Sequence, residues 1–346
     1  MPEFLPPAFD RLPTGSRIVL GHGAGGRKMH RLITDTFLKH FGNPVLNALG
    51  DAAELDARRG RLAVSTDSFV VRPLFFPGGD IGKLAVCGTV NDLAVSGAAP
   101  RWLTVGFILR EGLALASLER VCRSLAATAR TAGVLVVTGD TKVIERGAEE
   151  ELYVNTTGIG TLRPRVRLGP GQVRPGDELV INGPLGEHEA AIALARGGYR
   201  FRSKQRSDCA ALHRLCDRMV RAGGVRMMRD PTRGGLATTL NELAEATGLG
   251  FIVDEDRLPV GKAVSGIAAL LGLDPLYMAN EGKVLAVCAR GRAEPLVRAA
   301  RQDPRGRRSC RIGTVVREPA GVWLRTRLGS LRRLIMLEGE QLPRIC

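Results

Sequence analysis

The feature that most constrains this chain is a recurring change of hydrophobic period. Short β-rich runs alternate with stretches whose apolar residues return every three to four positions. LAVSTDSFVV (62–71), WLTVGFIL (102–109), VLVVTGD (134–140) and LYVNTTGIG (152–160) read as strands. Residues 81–97 and 117–133 read as helices. In the second, Leu118, Val121, Cys122, Leu125 and Ala129 fall on one face, with Ser117 as N-cap and Gly133 as terminator. This alternation predicts mixed α/β layers rather than an all-helical or all-β fold. No short-period repeat is present, which excludes solenoids.

The segment RPRVRLGPGQVRPGD (163–177) is rich in Pro, Gly and Arg, lacks any period, and is the best domain boundary. Beyond it the style repeats, with strands at 178–182, 225–230, 251–254, 284–289 and near 311–316 and 321–326. Helices are expected around 187–196, 208–222, 236–248 and 262–272. The expected organisation is a Gly-rich N-terminal segment (1–44), an N-terminal domain (45–163), a second α/β domain (164–326) and a mobile tail (327–346). At full stretch the tail could span about 65 Å and carry its end to a distant site.

Composition narrows the function classes. A 346-residue chain with 44% hydrophobic residues can bury two sizeable cores. No run approaches the roughly 18 apolar residues of a membrane span, and MPEFLPPAFDRLP has no signal core, so a cytoplasmic location is expected. The seven cysteines form no C-x-x-C pair, which fits reduced thiols better than disulfides or zinc; all but Cys346 have core-like surroundings. The charge of +15 suggests nucleic acid, but the arginines are dispersed with few aromatics between them, so no nucleic-acid partner is expected. Only seven basic residues are lysines, and Lys83, Lys142 and Lys283 stand inside motifs where a titratable amine has uses a guanidinium lacks.

Acidic residues recur beside Gly, Thr or Asn: Asp51 in LGDAAEL, Asp67 in STDSF, Asp92 in VNDLA, Asp140 in TGDTK, Asp230 in RDPTRGG and Glu281 in NEGK. Each alone equally suits a helix cap or turn. Together they supply the hard oxygen ligands that Mg²⁺ takes alongside substrate phosphates. GHGAGGRKMH (21–30), FFPGGDIGK (75–83) and DPTRGG (230–235) can present backbone N–H groups to phosphate or simply turn the chain. GxxxxGK[ST] is absent, as is a strand–GxGxxG–helix unit, so an ATP site here belongs to another architecture. The chain ends in LPRIC, placing a nucleophilic thiol, Cys346, at the last position.

Taken together, GHGAGGRKMH, STDSFVVRPLFFPGGDIGKLAVCGTVNDLAVSGA, TGDTKV, RMMRDPTRGGLATTLNE, LLGLDPLYMANEGK and LPRIC resemble the hydrogenase maturation HypE family, from about residue 17 to 346. LPRIC separates that family from its relatives, aminoimidazole ribonucleotide synthetase and selenophosphate synthetase. The resemblance implies a two-domain α/β fold like that synthetase, a homodimer through the N-terminal domains, and Mg-ATP at the domain junction. It implies that a HypF-like carbamoyltransferase loads Cys346, that the chain dehydrates the carbamoyl group to a thiocyanate, and that a HypC–HypD-like complex takes the cyanide. By the same resemblance Asp51, Asp92 and Asp230 bind metal, while Asp67, Asn91, Asp140 and Thr141 contact the nucleotide. Glu281 and Lys142 then handle protons, which expects the fold to bring those two together. Gly50 stands where many relatives carry a second acid before Asp51. A sister ATP-dependent synthase and a non-catalytic ATP-binding scaffold are the competing readings; modification of Cys346 separates the first, and ATP turnover dependent on that modification separates the second.

Overall fold

A computed structural model of the chain describes residues 16–24, 27–49, 53, 55, 60–147, 150–164, 166–197 and 203–337. After a 3-10 turn (Leu20–Gly23) come α1 (Arg27–Leu32), a π-helical stretch (Ile33–Leu38) and α2 (Lys39–Phe41). Their apolar side lies on the first sheet, with the Phe37 ring 5.2 Å from that of Phe107.

That sheet comprises β1 (Leu62–Phe69), β4 (Ala98–Arg110), β5 (Leu135–Ile144) and β6 (Leu152–Leu162), in the order β1-β6-β4-β5. β4 and β5 run parallel; the other pairs are antiparallel. A small hairpin, β2 (Phe75–Phe76) with β3 (Gly79–Asp80), leads into α3 (Ile81–Val95). Asp80 caps that helix by accepting from the Gly82 and Lys83 N–H groups. Almost every position of α3 is buried, because it lies between the first sheet and the second half of the chain.

α4 (Leu115–Ala132) ends at Gly133, as expected, with φ 70. It begins before Ser117, however, and Ala114 occupies the cap position without a side-chain bond. The Leu115 N–H is already satisfied by the Ser16 carbonyl, and Leu115 and Leu118 are drawn into the core, so no hydroxyl cap is needed. α3 and α4 cover one face of the sheet. On the opposite face Leu62, Val64, Ile108 and Leu135 are exposed, Val64 by 64%.

The second half builds β7 (Glu178–Ile181), α5 (Glu187–Arg196), α6 (His213–Ala222), β8 (Val225–Arg229), α7 (Gly235–Thr247), β9 (Gly250–Asp254) and α8 (Lys262–Leu271). It continues with β10 (Leu285–Cys288), α9 (Ala293–Arg301), β11 (Cys310–Val316), β12 (Gly321–Arg325) and β13 (Leu331–Leu334). The sheet order is β13-β12-β9-β11-β7-β10-β8, antiparallel except between β12 and β9.

Three differences from the sequence reading have physical causes. The helix expected over 208–222 starts at His213, because the residues before it are held by the Asn91 side chain. α9 has no counterpart in the sequence reading; its Pro295 falls in the first turn, where a missing N–H costs nothing. The tail expected from residue 327 contains β13, since Leu334 buries against the sheet while pairing with Val322. Among the described cysteines all are free thiols; five are buried, whereas Cys310 is partly exposed.

A carboxylate cleft between the two halves as candidate active site

A cleft of about 500 Å³ opens where β1 and α3 meet the β8–α7 turn, with Ser65, Asp92, Arg229, Asp230, Thr232 and Arg233 in its lining. Asp67 projects from β1 toward α3, and the missing side chain of Gly88 lets the helix come close. A Cβ there would stand 2.7 Å from the Phe69 ring and 3.7 Å from Asp67 Oδ2. Asp92 follows one helical turn later, and Asp230 enters from the other half of the chain at the end of β8. The DPTRGG loop is therefore part of this cleft. FFPGGDIGK instead caps α3 and packs on Ser207, and Gly23 of the first glycine motif lies against β5 at Val143.

The three carboxylates sense one another. Burial and then the neighbouring Asp92 charge raise Asp67 above the ordinary carboxylate range. Asp92 is raised by burial, opposed by the 2.6 Å hydrogen bond that Ser65 donates. Asp230 is pushed up to about 7, by burial and then by Asp92 and Asp67. Arg229 and Arg233 temper this from a distance, but among the described residues none of the three acids forms a salt bridge. Mutually repelling hard oxygens that no salt bridge neutralises fit a divalent cation. Among the described residues no three such side chains are yet gathered at coordination distance. Asp51 lies outside the described residues.

Glu281 is buried in the loop after α8, and its backbone carbonyl accepts from the Ala210 N–H. Asn280 joins that loop to the cleft, its amide donating 2.8 Å to the Pro231 carbonyl next to Asp230. Asn91, expected at the nucleotide, is committed elsewhere. Its amide donates to the Ala210 carbonyl (3.1 Å) and accepts from the Leu212 N–H (2.8 Å), joining α3 to the second half.

Asp140, Thr141 and Lys142 lie on β5, three strand positions from β1, roughly 14 Å at ~4.8 Å per strand. Asp140 and Lys142 are exposed on the open face, while Thr141 turns to the covered one. Within one chain, then, Lys142 and Glu281 are not brought together: one is on an edge strand's open face, the other buried behind α3. Asp140 and Thr141 instead border a separate, mainly apolar pocket of about 230 Å³ under Phe37 and Phe41. Cys346 lies outside the described residues.

Comparison with known proteins decides the family. Residues 49–162 match the model for the AIR synthase related protein N-terminal domain, and 174–323 that for its C-terminal domain. Carbamoyl dehydratase HypE of Cupriavidus necator is 48% identical over 333 residues, 95% of both chains. The chain belongs to the HypE family. A crystal structure of the hydrogenase maturation protein HypE in complex with ATP superposes with a TM-score of 0.91 at 48% identity, covering 95% of this chain and 99% of that one. HypE from a HypE–HypF complex superposes at 0.78 with 39% identity, covering 88% and 99%. The mixed α/β, aminoimidazole-ribonucleotide-synthetase-like fold expected from the sequence is thereby established.

Sequence reasoning missed Ser65, which sits two residues before Asp67 in the motif STDSF and shares its strand face. It also missed Asp208, whose only sequence signal is a charge in an otherwise small and apolar SDCAAL segment.

Proposed function

We propose that this chain uses ATP to dehydrate an S-carbamoyl group on its own Cys346 to a thiocyanate, supplying cyanide ligands for NiFe-hydrogenase maturation. One observation carries the reading: in a HypE-family chain Asp92 and Asp230, from the two halves, line one cleft with Asp67 near enough to feel their charge, and Glu281 stands in the loop tied to its edge. ATP is the nucleotide, supported by the ATP-bound HypE to which the chain is so similar.

The amide-like oxygen of a thiocarbamate is a poor leaving group, so it first attacks the γ-phosphorus, forming an O–P bond as ADP departs. A base takes one proton from nitrogen; loss of the second proton and of phosphate then makes the C≡N bond. Glu281 is assigned as the base. Asp92 and Asp230, with Asp51, would hold Mg²⁺, and Asp67 borders the phosphates. When bound, Mg²⁺ offsets charge on the transferring phosphoryl group. Ser65 holds the Asp92 carboxylate toward the cleft.

The open face of the first sheet, with its exposed Leu62, Val64, Ile108 and Leu135, is assigned to a homodimer contact. Asp140 and Lys142 share that face, so Lys142 reaches the chemistry only through the second copy's packing. A HypF-like carbamoyltransferase loads Cys346, as the HypE–HypF complex suggests, and a HypC–HypD-like complex receives the cyanide. This assembly works in the cytoplasm, in keeping with the absence of any described helix long and apolar enough to cross a membrane. The division into domains at 45–163 and 164–326, with the tail bearing Cys346, suits delivery of the carbamoyl group from outside the cleft.

The test is intact-protein mass spectrometry with the carbamoyl-loading partner, before and after ATP. Cys346→Ser is expected to bind Mg-ATP as wild type does and to gain neither the carbamoyl nor the cyano mass. Release of transferable cyanide by that variant would overturn the assignment.

A further inference from the structure

Asp208 stands just before α6 and is nearly excluded from solvent, at 4% side-chain exposure. Its carboxylate is filled by three successive residues of one loop. Oδ1 accepts from the Glu281 N–H at 3.2 Å, while Oδ2 accepts from the Gly282 N–H at 3.0 Å and from Lys283 Nζ at 2.7 Å. The loop answers through Ala210, whose N–H donates 3.2 Å to the Glu281 carbonyl. Gly282 permits this approach, since a Cβ there would overlap the Asp208 carbonyl oxygen. Lys283 is itself buried and also donates 3.0 Å to Glu187.

The Asp208 segment is equally fixed to the first half of the chain. The Ser207 N–H donates to the Pro77 carbonyl of the β2–β3 hairpin at 2.8 Å, and Asn91 grips Ala210 and Leu212 from α3. Asn91 adjoins Asp92, so a continuous set of hydrogen bonds runs from the cleft-lining helix through residues 207–212 to the backbone of Glu281.

We propose that Asp208 is a positioning residue for the dehydration: it holds the Glu281 backbone where that carboxylate can take the substrate's nitrogen proton. The inference rests on the assignment of Glu281 as base. Balancing the buried Lys283 charge would require one contact to the ammonium; it does not require acceptance from two consecutive backbone N–H groups. Those bonds specify where the loop goes. Asp208 stays ionised: burial opposes its charge, but the Lys283 ammonium, then His188 and the Glu281 N–H, prevail and lower its pKa below the ordinary carboxylate range.

Single-turnover mass spectrometry of carbamoyl-loaded protein with ATP separates the two roles. Asp208→Asn is expected to slow cyano formation about 10–100-fold, the usual consequence of misplacing a reacting group by an ångström or so, with Mg-ATP affinity within about twofold of wild type. Asp208→Asn/Lys283→Gln removes the stranded charge, yet is expected to stay slow. Recovery of the double variant to near the wild-type rate would reduce Asp208 to a charge balance and overturn the proposal. Asp208→Glu keeps the ion pair but shifts the acceptor past the two amides. It is expected to be slow with Mg-ATP affinity within about twofold of wild type, and a wild-type rate would count equally against the proposal. In the Glu281→Gln background, Asp208→Asn is expected to add nothing. If Glu281→Gln itself runs at the wild-type rate, the base assignment fails; if it is slow and Asp208→Asn multiplies the loss, only the positioning role fails.

Discussion

Asp230 stores repulsion that the folded protein tolerates for the sake of its cleft, and replacing it by Asn should make the metal-free protein more stable. Its pKa rises from 3.8 to about 7 on folding. Each unit is worth about 1.4 kcal/mol, so at pH 7.5 the ionised group costs at most about 4 kcal/mol. Because Asp92 and Asp67 share the interaction, about 2 kcal/mol is the figure to carry forward. The direction follows from proton counting. A carboxyl raised on folding binds more protons in the native state between about pH 4 and 7. Its contribution is therefore most favourable below pH 4 and is lost as pH climbs through that window. Asp230→Asn removes the loss. For a domain of 150–250 residues, about 2 kcal/mol moves Tm by about 4–8 °C. Calorimetry in EDTA at pH 7.5 should show that rise, shrinking by pH 5, and saturating Mg-ATP should reverse the order by stabilising the wild type alone. A variant no more stable than wild type at pH 7.5, or a gain that ignores pH, would refute the argument that the three acids repel one another.

Two further outcomes follow from the assignments above. Glu281→Gln should bind Mg-ATP and accept the carbamoyl group but convert it about 10²–10⁴-fold more slowly, the usual worth of a general base, as read by single-turnover mass spectra; a wild-type rate would place the base elsewhere. Val64→Glu, at a side chain 64% exposed on the open sheet face, should keep a native circular-dichroism spectrum while driving the protein toward monomer in analytical ultracentrifugation; an unchanged sedimentation coefficient would remove that face from the dimer.

Much of the fold was legible because burial writes a period into sequence. Leu118, Val121, Cys122, Leu125 and Ala129 share a buried face of α4, and the strand alternation of LYVNTTGIG survives in β6 as strict burial on every second residue. Ends were less legible, since they depend on partners far along the chain. Ser117 has cap chemistry, yet the Ser16 carbonyl satisfies Leu115 and starts α4 earlier. The 208–212 segment has helix-compatible residues, yet Asn91 holds it out of α6.

The candidate site shows the same division at finer scale, because adjacency in a motif is not adjacency in space. Successive residues on a helix point about 100° apart, so in VNDLA the neighbours Asn91 and Asp92 part company. Asp92 turns to the Ser65 hydroxyl in the cleft, and Asn91 turns to the backbone of Ala210 and Leu212. On a strand the alternation is complete: in TGDTK, Thr141 is buried while Asp140 and Lys142 face the open side. One motif thus divides between a covered pocket and the sheet's open face. Residue type pointed to six acids at once, of which Asp67, Asp92 and Asp230 come near enough to perturb one another. It could not mark Asp208, whose task is defined by two backbone N–H groups contributed from more than 70 positions away. Side-chain chemistry can be read from a sequence one residue at a time, whereas the backbone it organises becomes visible only when the chain has closed on itself.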